Sequence, residues 1–276
     1  MRIHLAIPSA VVVFTAAVGV TYFASPAPGA HASSLGTGAS TTPTTIPVSH
    51  NRSQVASGKT LFIANCSTCH GTNAQGSAYA PNLVGLGAAT IDFWVGTGRM
   101  PLPFPTAQAP EKKPLFSASQ RHAIVSYVTS LGKGGPGIPN VQLKGANVAT
   151  GEQLFSLNCA GCHTIAGVGD ALSAGYYAPS LYPATSTQVA EAMRTGPGNM
   201  PRFGPQDITP QQLNDVVAYV HRYIQHPVDR GGLGLGHVGP VAEGFVAFLV
   251  GIGSLLLLSY WIGEPAEKRE SHGAGA

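Results

Sequence analysis

Charge is scarce in this chain of 276 residues. Asp, Glu, Lys and Arg make up only 10% of it, 15 basic residues stand against 12 acidic ones, and the formal net charge is +3. No lysine- or arginine-rich stripe is present, which argues against a nucleic-acid partner. No nucleophile–base constellation and no phosphate-binding loop can be found, so the chain offers no hydrolytic or phosphoryl-transfer machinery of its own. Cysteine and methionine are equally sparse, at four each. All four cysteines fall in two pentapeptides, which confines thiol chemistry to two places.

Those pentapeptides are Cys66-Ser67-Thr68-Cys69-His70 and Cys159-Ala160-Gly161-Cys162-His163. C-x-x-C-H is the attachment signature of c-type haem: two thioethers hold the porphyrin, and the adjacent histidine becomes an axial iron ligand. A thioredoxin-like dithiol or half of a zinc site needs no histidine directly after the second cysteine. A zinc site also wants its cysteine pairs about 15–20 residues apart, and here they lie several times farther apart. The chain is therefore expected to carry two covalently bound haem c groups, through Cys66, Cys69, Cys159 and Cys162. Its reactive chemistry belongs to that cofactor, and electron transfer is the expected activity.

The motifs sit inside a longer repeat. Residues 58–65 (GKTLFIAN) and 151–158 (GEQLFSLN) share Gly, Leu, Phe and Asn in register before the first haem cysteine. Downstream, residues 80–83 (APNL) answer 178–181 (APSL), and Thr97-Gly98-Arg99-Met100-Pro101 answers Thr195-Gly196-Pro197-Gly198-Asn199-Met200-Pro201. An apolar run with helical spacing closes each unit, at 123–128 and 215–220. Two copies are too few for a solenoid, so the pattern reads as a duplicated domain. Each unit resembles the class I cytochrome c fold, which implies a helix running into the haem motif and a C-terminal helix crossing it. The first would span 58–65 and 151–158. The second would open at Ser117/Ser119 in one unit, and at Thr209 as N-cap with Pro210 at the first helical position in the other. Units of roughly 80 residues have thin cores, so haem is expected to supply much of the apolar interior.

Sixth ligands follow by elimination. Of Met1, Met100, Met193 and Met200, only Met100 lies in the first unit, and its loop repeats around Met200. Each is followed by proline, which stiffens an extended loop. The expected axial pairs are His70/Met100 and His163/Met200. Such ligation raises the reduction potential relative to bis-histidine. Met193 reads as core packing, and His122 and His221 are rival ligands on helices. In the cytochrome c pattern a proline carbonyl orients the axial histidine; Pro81 and Pro179 match that position. Tyr79, Tyr176, Tyr177, Arg99 and Arg202 are candidates for haem propionates or for ordinary surface roles.

The remaining segments point to a membrane. Residues 5–24 are uncharged and largely apolar, and Ala30-His31-Ala32 offers a cleavage signal; residues 1–32 are a removed signal peptide or a retained anchor. Either way the haem units are exported. Residues 244–262 form a second uncharged run of nineteen residues, about 28 Å of helix. Tyr260 and Trp261 end it as interfacial aromatics, and Lys268 and Arg269 follow on the expected cytoplasmic side. The predicted organisation is mainly α. Residues 1–32 are a leader or anchor, 33–52 a flexible linker, 53–135 and 144–227 two tandem cytochrome c domains, 228–240 a linker, 241–263 a transmembrane helix and 264–276 a cytoplasmic tail. Residues 132–139 separate the haem domains. Residues 101–114, with five prolines, read as a rigid surface excursion absent from the second unit, either a docking element or a tolerated insertion. The charge is uneven: residues 51–135 hold seven basic and two acidic side chains, residues 144–230 five basic and six acidic.

Both haem motifs, the loops at 97–101 and 199–201, and the tail Gly239-Pro240-Val241-Ala242-Glu243-Gly244-Phe245 through Trp261-Ile262-Gly263 resemble one family over residues 58–263. It is the dihaem cytochrome c subunit of the actinobacterial cytochrome bcc complex, a menaquinol–cytochrome c reductase. The resemblance implies partnership with a Rieske iron–sulfur subunit, a cytochrome b subunit and a terminal haem–copper oxidase. It also implies a cell-membrane location with the haem domains outside the cytoplasm and the C-terminus inside. A stand-alone membrane-anchored dihaem carrier serving another dehydrogenase or reductase is the alternative. A dihaem enzyme acting on a small molecule is a third reading, but it needs an open or differently ligated iron.

Overall fold

A computed structural model describes residues 44–227 and 240–263. The leader or anchor at 1–32, the linker at 33–43 and 228–239, and the tail at 264–276 lie outside the described residues.

The first haem domain is entered by strand β1 (Thr45–Ile46) and helix α1 (Arg52–Asn65). Helix α1 starts six residues before the repeat does. Asn51 is its N-cap, and its side-chain oxygen accepts the Gln54 N–H at 2.8 Å, satisfying an otherwise orphaned donor. The haem motif forms one turn, α2 (Ser67–His70). Helices α3 (Ala88–Gly96) and α4 (Ala118–Ser130) complete the domain. Ser117 and Gln120 cap α4 reciprocally, at 3.3 and 2.9 Å, as a capping box does.

Strand β2 (Ile138–Pro139) pairs antiparallel with β1. This departs from two sequence expectations. The segment before Arg52 read as a flexible linker, yet Thr45 and Ile46 sit in a ladder and the Ser49 carbonyl accepts a bond from Ser126 Oγ at 2.7 Å. The segment at 132–139 read as a separator, yet Ile138 is buried in the first core and the Pro136 carbonyl accepts the Ala89 N–H at 3.1 Å. Both stretches are polar or Gly/Pro-rich, and their long-range pairing leaves no periodic trace.

The second domain repeats the plan. Helix α5 (Val148–Asn158), capped by Asn147, leads into the one-turn α6 (Ala160–His163). A short hairpin, β3 (Asp170–Ala171) and β4 (Tyr177–Ala178), precedes α7 (Ser186–Thr195) and α8 (Pro210–Tyr219). Thr209 caps α8 with Pro210 inside the first turn, as the sequence predicts. Helix α8 then widens into a π-turn over Val220–Gln225, where Gln225 Nε2 donates to the carbonyls of Leu181 and Ala184 at 2.7 and 2.6 Å. Helix α9 (Pro240–Gly263) is long and apolar enough to cross a membrane.

Each core centres on the crossing of the first and last helices of its domain. A Cβ on Gly58 would collide with the Ala123 carbonyl, and one on Gly151 with the Asp215 carbonyl. Glycine there lets two backbones approach closely. One turn on, Phe62 packs on Tyr127 with ring centroids 5.4 Å apart, and Phe155 on Tyr219 at 5.5 Å. Both phenylalanines are fully buried, each contributing about 1.5–3 kcal/mol by leaving water.

The two domains touch through α3 and α7, with β2 against both. Gln188 Nε2 donates to the Gly96 carbonyl at 3.3 Å. The proline-rich segment joins this contact. Gln108 brackets Tyr177, accepting its N–H at 3.0 Å and donating to its carbonyl at 2.7 Å, and Ala109 is buried. The stretch read as a surface excursion therefore straps the first domain to the second.

Candidate haem-binding site

Helix α2 places both cysteines and the histidine of its motif within one turn. Cys69 and His70 return their N–H groups to the Cys66 carbonyl at 3.2 and 2.9 Å. In α6, Cys162 and His163 do the same to Cys159, at 3.1 and 2.9 Å. His70 Nδ1 donates to the Pro81 carbonyl and His163 Nδ1 to the Pro179 carbonyl, both at 2.9 Å. A carbonyl can only accept, so the proton sits on Nδ1 and the Nε2 lone pair is left for a metal. Burial also pulls the His163 pKa below the ordinary imidazole value, against the opposing bond to Pro179, which favours the neutral ring a metal needs.

The free thiols of Cys66 and Cys159 are pushed up to about 11, first by burial and then by the neighbouring cysteine of each motif. A redox dithiol needs the opposite shift, which argues against the thioredoxin-like reading.

A single apolar cavity of ≈ 510 Å³ runs between the motifs. All four cysteines, both histidines, Met100 and Met200 lie on its wall. Met100 is fixed by its N–H to the Trp94 carbonyl at 2.9 Å, Met200 by its N–H to Pro197 at 3.1 Å. Tyr79, Tyr176, Tyr177 and Arg99 also reach the wall; Arg202 is exposed and does not. Arg99 lies over the Phe93 ring at 5.1 Å and 3.4 Å from Glu111. Met193 is buried in the second core. His122 is exposed, and neither it nor His221 lines the cavity.

Two contributors had no sequence signal. Trp94 lines the cavity from within an apolar helix, and Gln108 acts through a hydrogen bond to a residue 69 positions away.

Residues 55–132 match the model of the cytochrome c family, and residues 146–220 match that of subunit III of cbb3-type cytochrome c oxidase. The cytochrome bc1 complex cytochrome c subunit of Mycobacterium tuberculosis is 42% identical over 215 residues, covering 75% of this chain and 76% of the relative. Its counterpart in Corynebacterium diphtheriae is 41% identical over 227 residues, covering 76% and 80%. The cbb3-type cytochrome c oxidase subunit FixP of Azorhizobium caulinodans is more distant, at 26% over 187 residues, covering 60% and 58%. The chain belongs to the family of cytochrome bc1 complex cytochrome c subunits.

Membership makes it an electron-carrying c-type cytochrome of a respiratory complex, with two covalently bound haem c groups and one candidate membrane helix. The residues present fit that cofactor. The cavity is apolar, both cysteines and the histidine of each motif line it together with Met100 and Met200, and the Nδ1 bonds of His70 and His163 leave each Nε2 unprotonated.

Proposed function

We propose that this subunit takes electrons from the Rieske iron–sulfur protein of a menaquinol–cytochrome c reductase and delivers them to a terminal haem–copper oxidase. The cytochrome b subunit of the reductase is a further partner. The haem domains face the extracytoplasmic side and the C-terminus the cytoplasm, as Lys268 and Arg269 after the apolar run favour. Each bound haem supplies a one-electron iron couple. Around it, Cys66, Cys69, Cys159 and Cys162 hold the macrocycles covalently. His70 with Met100, and His163 with Met200, are the axial donors, and the Pro81 and Pro179 carbonyls hold the histidine rings in place. Tyr79, Arg99, Tyr176 and Tyr177 stand where propionates can be held.

One observation carries this reading: both haem motifs open onto a single continuous cavity. Two cofactors along one apolar cavity make a relay, which suits a subunit that passes electrons from one partner to another.

The test is to purify the tagged full chain in mild detergent and identify its companions. Rieske, cytochrome b and haem–copper oxidase subunits are expected, together with reduction of both haems by a menaquinol analogue. A chain that travels without them, and is reduced by another dehydrogenase instead, would establish the stand-alone carrier.

A further inference from the structure

The contact between the haem domains encloses a group that neither the cofactor sites nor the cores use. Glu191, on α7 of the second domain, has no solvent exposure, and among the described residues neither of its carboxyl oxygens has a hydrogen-bond donor. The group it faces is Asp92, on α3 of the first domain, itself buried and paired with Arg121 of α4 at 2.8 Å. Two ionised carboxylates offer acceptors only, so neither can hydrogen-bond to the other unless one carries a proton. Once protonated, Glu191 becomes a donor to Asp92, and the cluster is satisfied with one negative and one positive charge.

We propose that Glu191 and Asp92 share one proton across the contact between the two haem domains, and that this proton keeps the contact closed.

The surrounding groups support a single bound proton. Burial, then the charge of Asp92 and the hydrogen bond to it, raise the Glu191 pKa to about 10, against the pull of Arg121. Asp92 is the only charged side chain on α3. On α4, His122 is exposed and only Arg121 faces the pair. On α8, Asp215 is occupied by the Asn147 N–H and Gln211. Arg194, one turn along α7, is spent on the carbonyls of Phe203 and Ile208. Strand β2 carries no titratable group. Among the described residues nothing else within reach neutralises Glu191, so its ionisation places two negative charges against Arg121 alone in a buried contact. Such a cluster is unfavourable without a compensating partner, and the contact is then expected to part as the proton leaves to solvent. The haem pockets share a wall with these helices through Phe93, Trp94 and Gln188, so parting changes the geometry between the two haems.

The test uses the full-length dihaem protein in detergent. The haem–haem exciton couplet in the Soret circular dichroism reports the mutual orientation of the macrocycles. The far-red band of methionine-ligated ferric haem is followed in parallel, so that a ligand change is separated from motion between domains. In the native protein the couplet should collapse reversibly as pH rises through about 10. Glu191→Gln, which donates without titrating, and Asp92→Asn, which leaves one carboxylate to one arginine, should each keep it. Infrared spectra should show a carboxylic-acid C=O stretch near neutral pH that Glu191→Gln removes. Should Glu191→Gln fail to incorporate haem, Asp92→Asn carries the same comparison. A couplet unchanged across this range in the native protein, or an equal collapse in the variants, or no carboxylic-acid band, overturns the proposal.

Discussion

In the first haem domain the helix crossing rests on Gly58 against the Ala123 carbonyl and Phe62 against Tyr127; in the second, Gly151, Asp215, Phe155 and Tyr219 hold the same places. The histidine–proline bonds match at 2.9 Å each. Elsewhere the halves part. Thr97 and Thr195 each bond back to the carbonyl four residues earlier, so Phe93 holds in the first domain the place that Glu191 holds in the second. The left-handed positions are exchanged too: Gly71 and Ala74 in one half answer Thr164 and Gly167 in the other. The haem motifs, the histidine–proline bonds and the crossing of the two main helices are kept. Positions at the contact between domains have diverged, because each half packs there against its neighbour's different face.

If the cores are equivalent, equal lesions should cost equally. Phe62→Ala and Phe155→Ala are each expected to destabilise their own domain by about 3–5 kcal/mol, read as loss of one haem's worth of bound cofactor or a lowered melting temperature. Loss of both haems from a single substitution would mean that the halves do not fold separately. The next comparison is electronic. Met100→His and Met200→His should each lower the potential of one haem by on the order of 100 mV, within the ≈ 0.8 V that axial ligands span, and leave the other nearly unchanged. Spectroelectrochemical titration decides it. A variant with both potentials unmoved would remove that methionine from the iron.

What was legible from the sequence was what repeats. The haem motifs, the Met-Pro loops, Pro81 and Pro179, and the start of α8 at Thr209-Pro210 were all visible because local chemistry dictates them. The extra turns of α1 and α5 were missed because Asn51 and Asn147 cap them outside the repeated stretch. The β1–β2 ladder and the Gln108–Tyr177 bracket were not legible, since both join residues far apart in sequence through backbone groups every residue carries. The Asp92–Glu191 pairing was hidden for a related reason. A lone Glu at helical spacing reads as a solvated face until a second domain is seen to cover it.

That covering has a consequence for stability. The Glu191 pKa in the folded protein is raised to about 10, mainly by burial. Between the ordinary carboxylate range and that value the native protein retains a proton that the unfolded chain has released. Stability is therefore fully present below the unfolded pKa and declines as pH rises towards the folded one, by at most about 1.4 kcal/mol per pH unit. Glu191→Gln should remove this slope and raise stability near neutral pH by roughly 1–3 kcal/mol. Phe93→Ala, at the equivalent place in the first domain, should change stability without altering its pH dependence. Denaturant midpoints across the neutral to alkaline range measure both, and a slope that survives Glu191→Gln would assign the pH dependence to another group.

The smallest expected effect is at Thr164, one of the left-handed positions. Gly71 has φ 76° and ψ 158°, and Thr164 has φ 61° and ψ 162°. This region suits glycine and costs a side-chain-bearing residue about 1–3 kcal/mol, more keenly so for a β-branched one. Thr164 recovers part of that because its Oγ1 accepts the Val168 N–H at 3.3 Å, a bond worth about 0.5–1.5 kcal/mol. Glycine would also gain freedom in the unfolded chain, offsetting roughly another 0.5–1 kcal/mol. With these contributions nearly cancelling at mid-range, Thr164→Gly should be close to neutral, within about 1 kcal/mol of the native protein. The reverse exchange is not symmetrical. A side chain at Gly71 meets the Gln75 side chain, so Gly71→Thr carries the strain with a steric conflict added and should destabilise by at least about 1–3 kcal/mol. Equal and opposite effects at the two sites would show that the turn after each haem motif is governed by backbone strain alone. The expected inequality would show that the second domain has built a local hydrogen bond around its threonine.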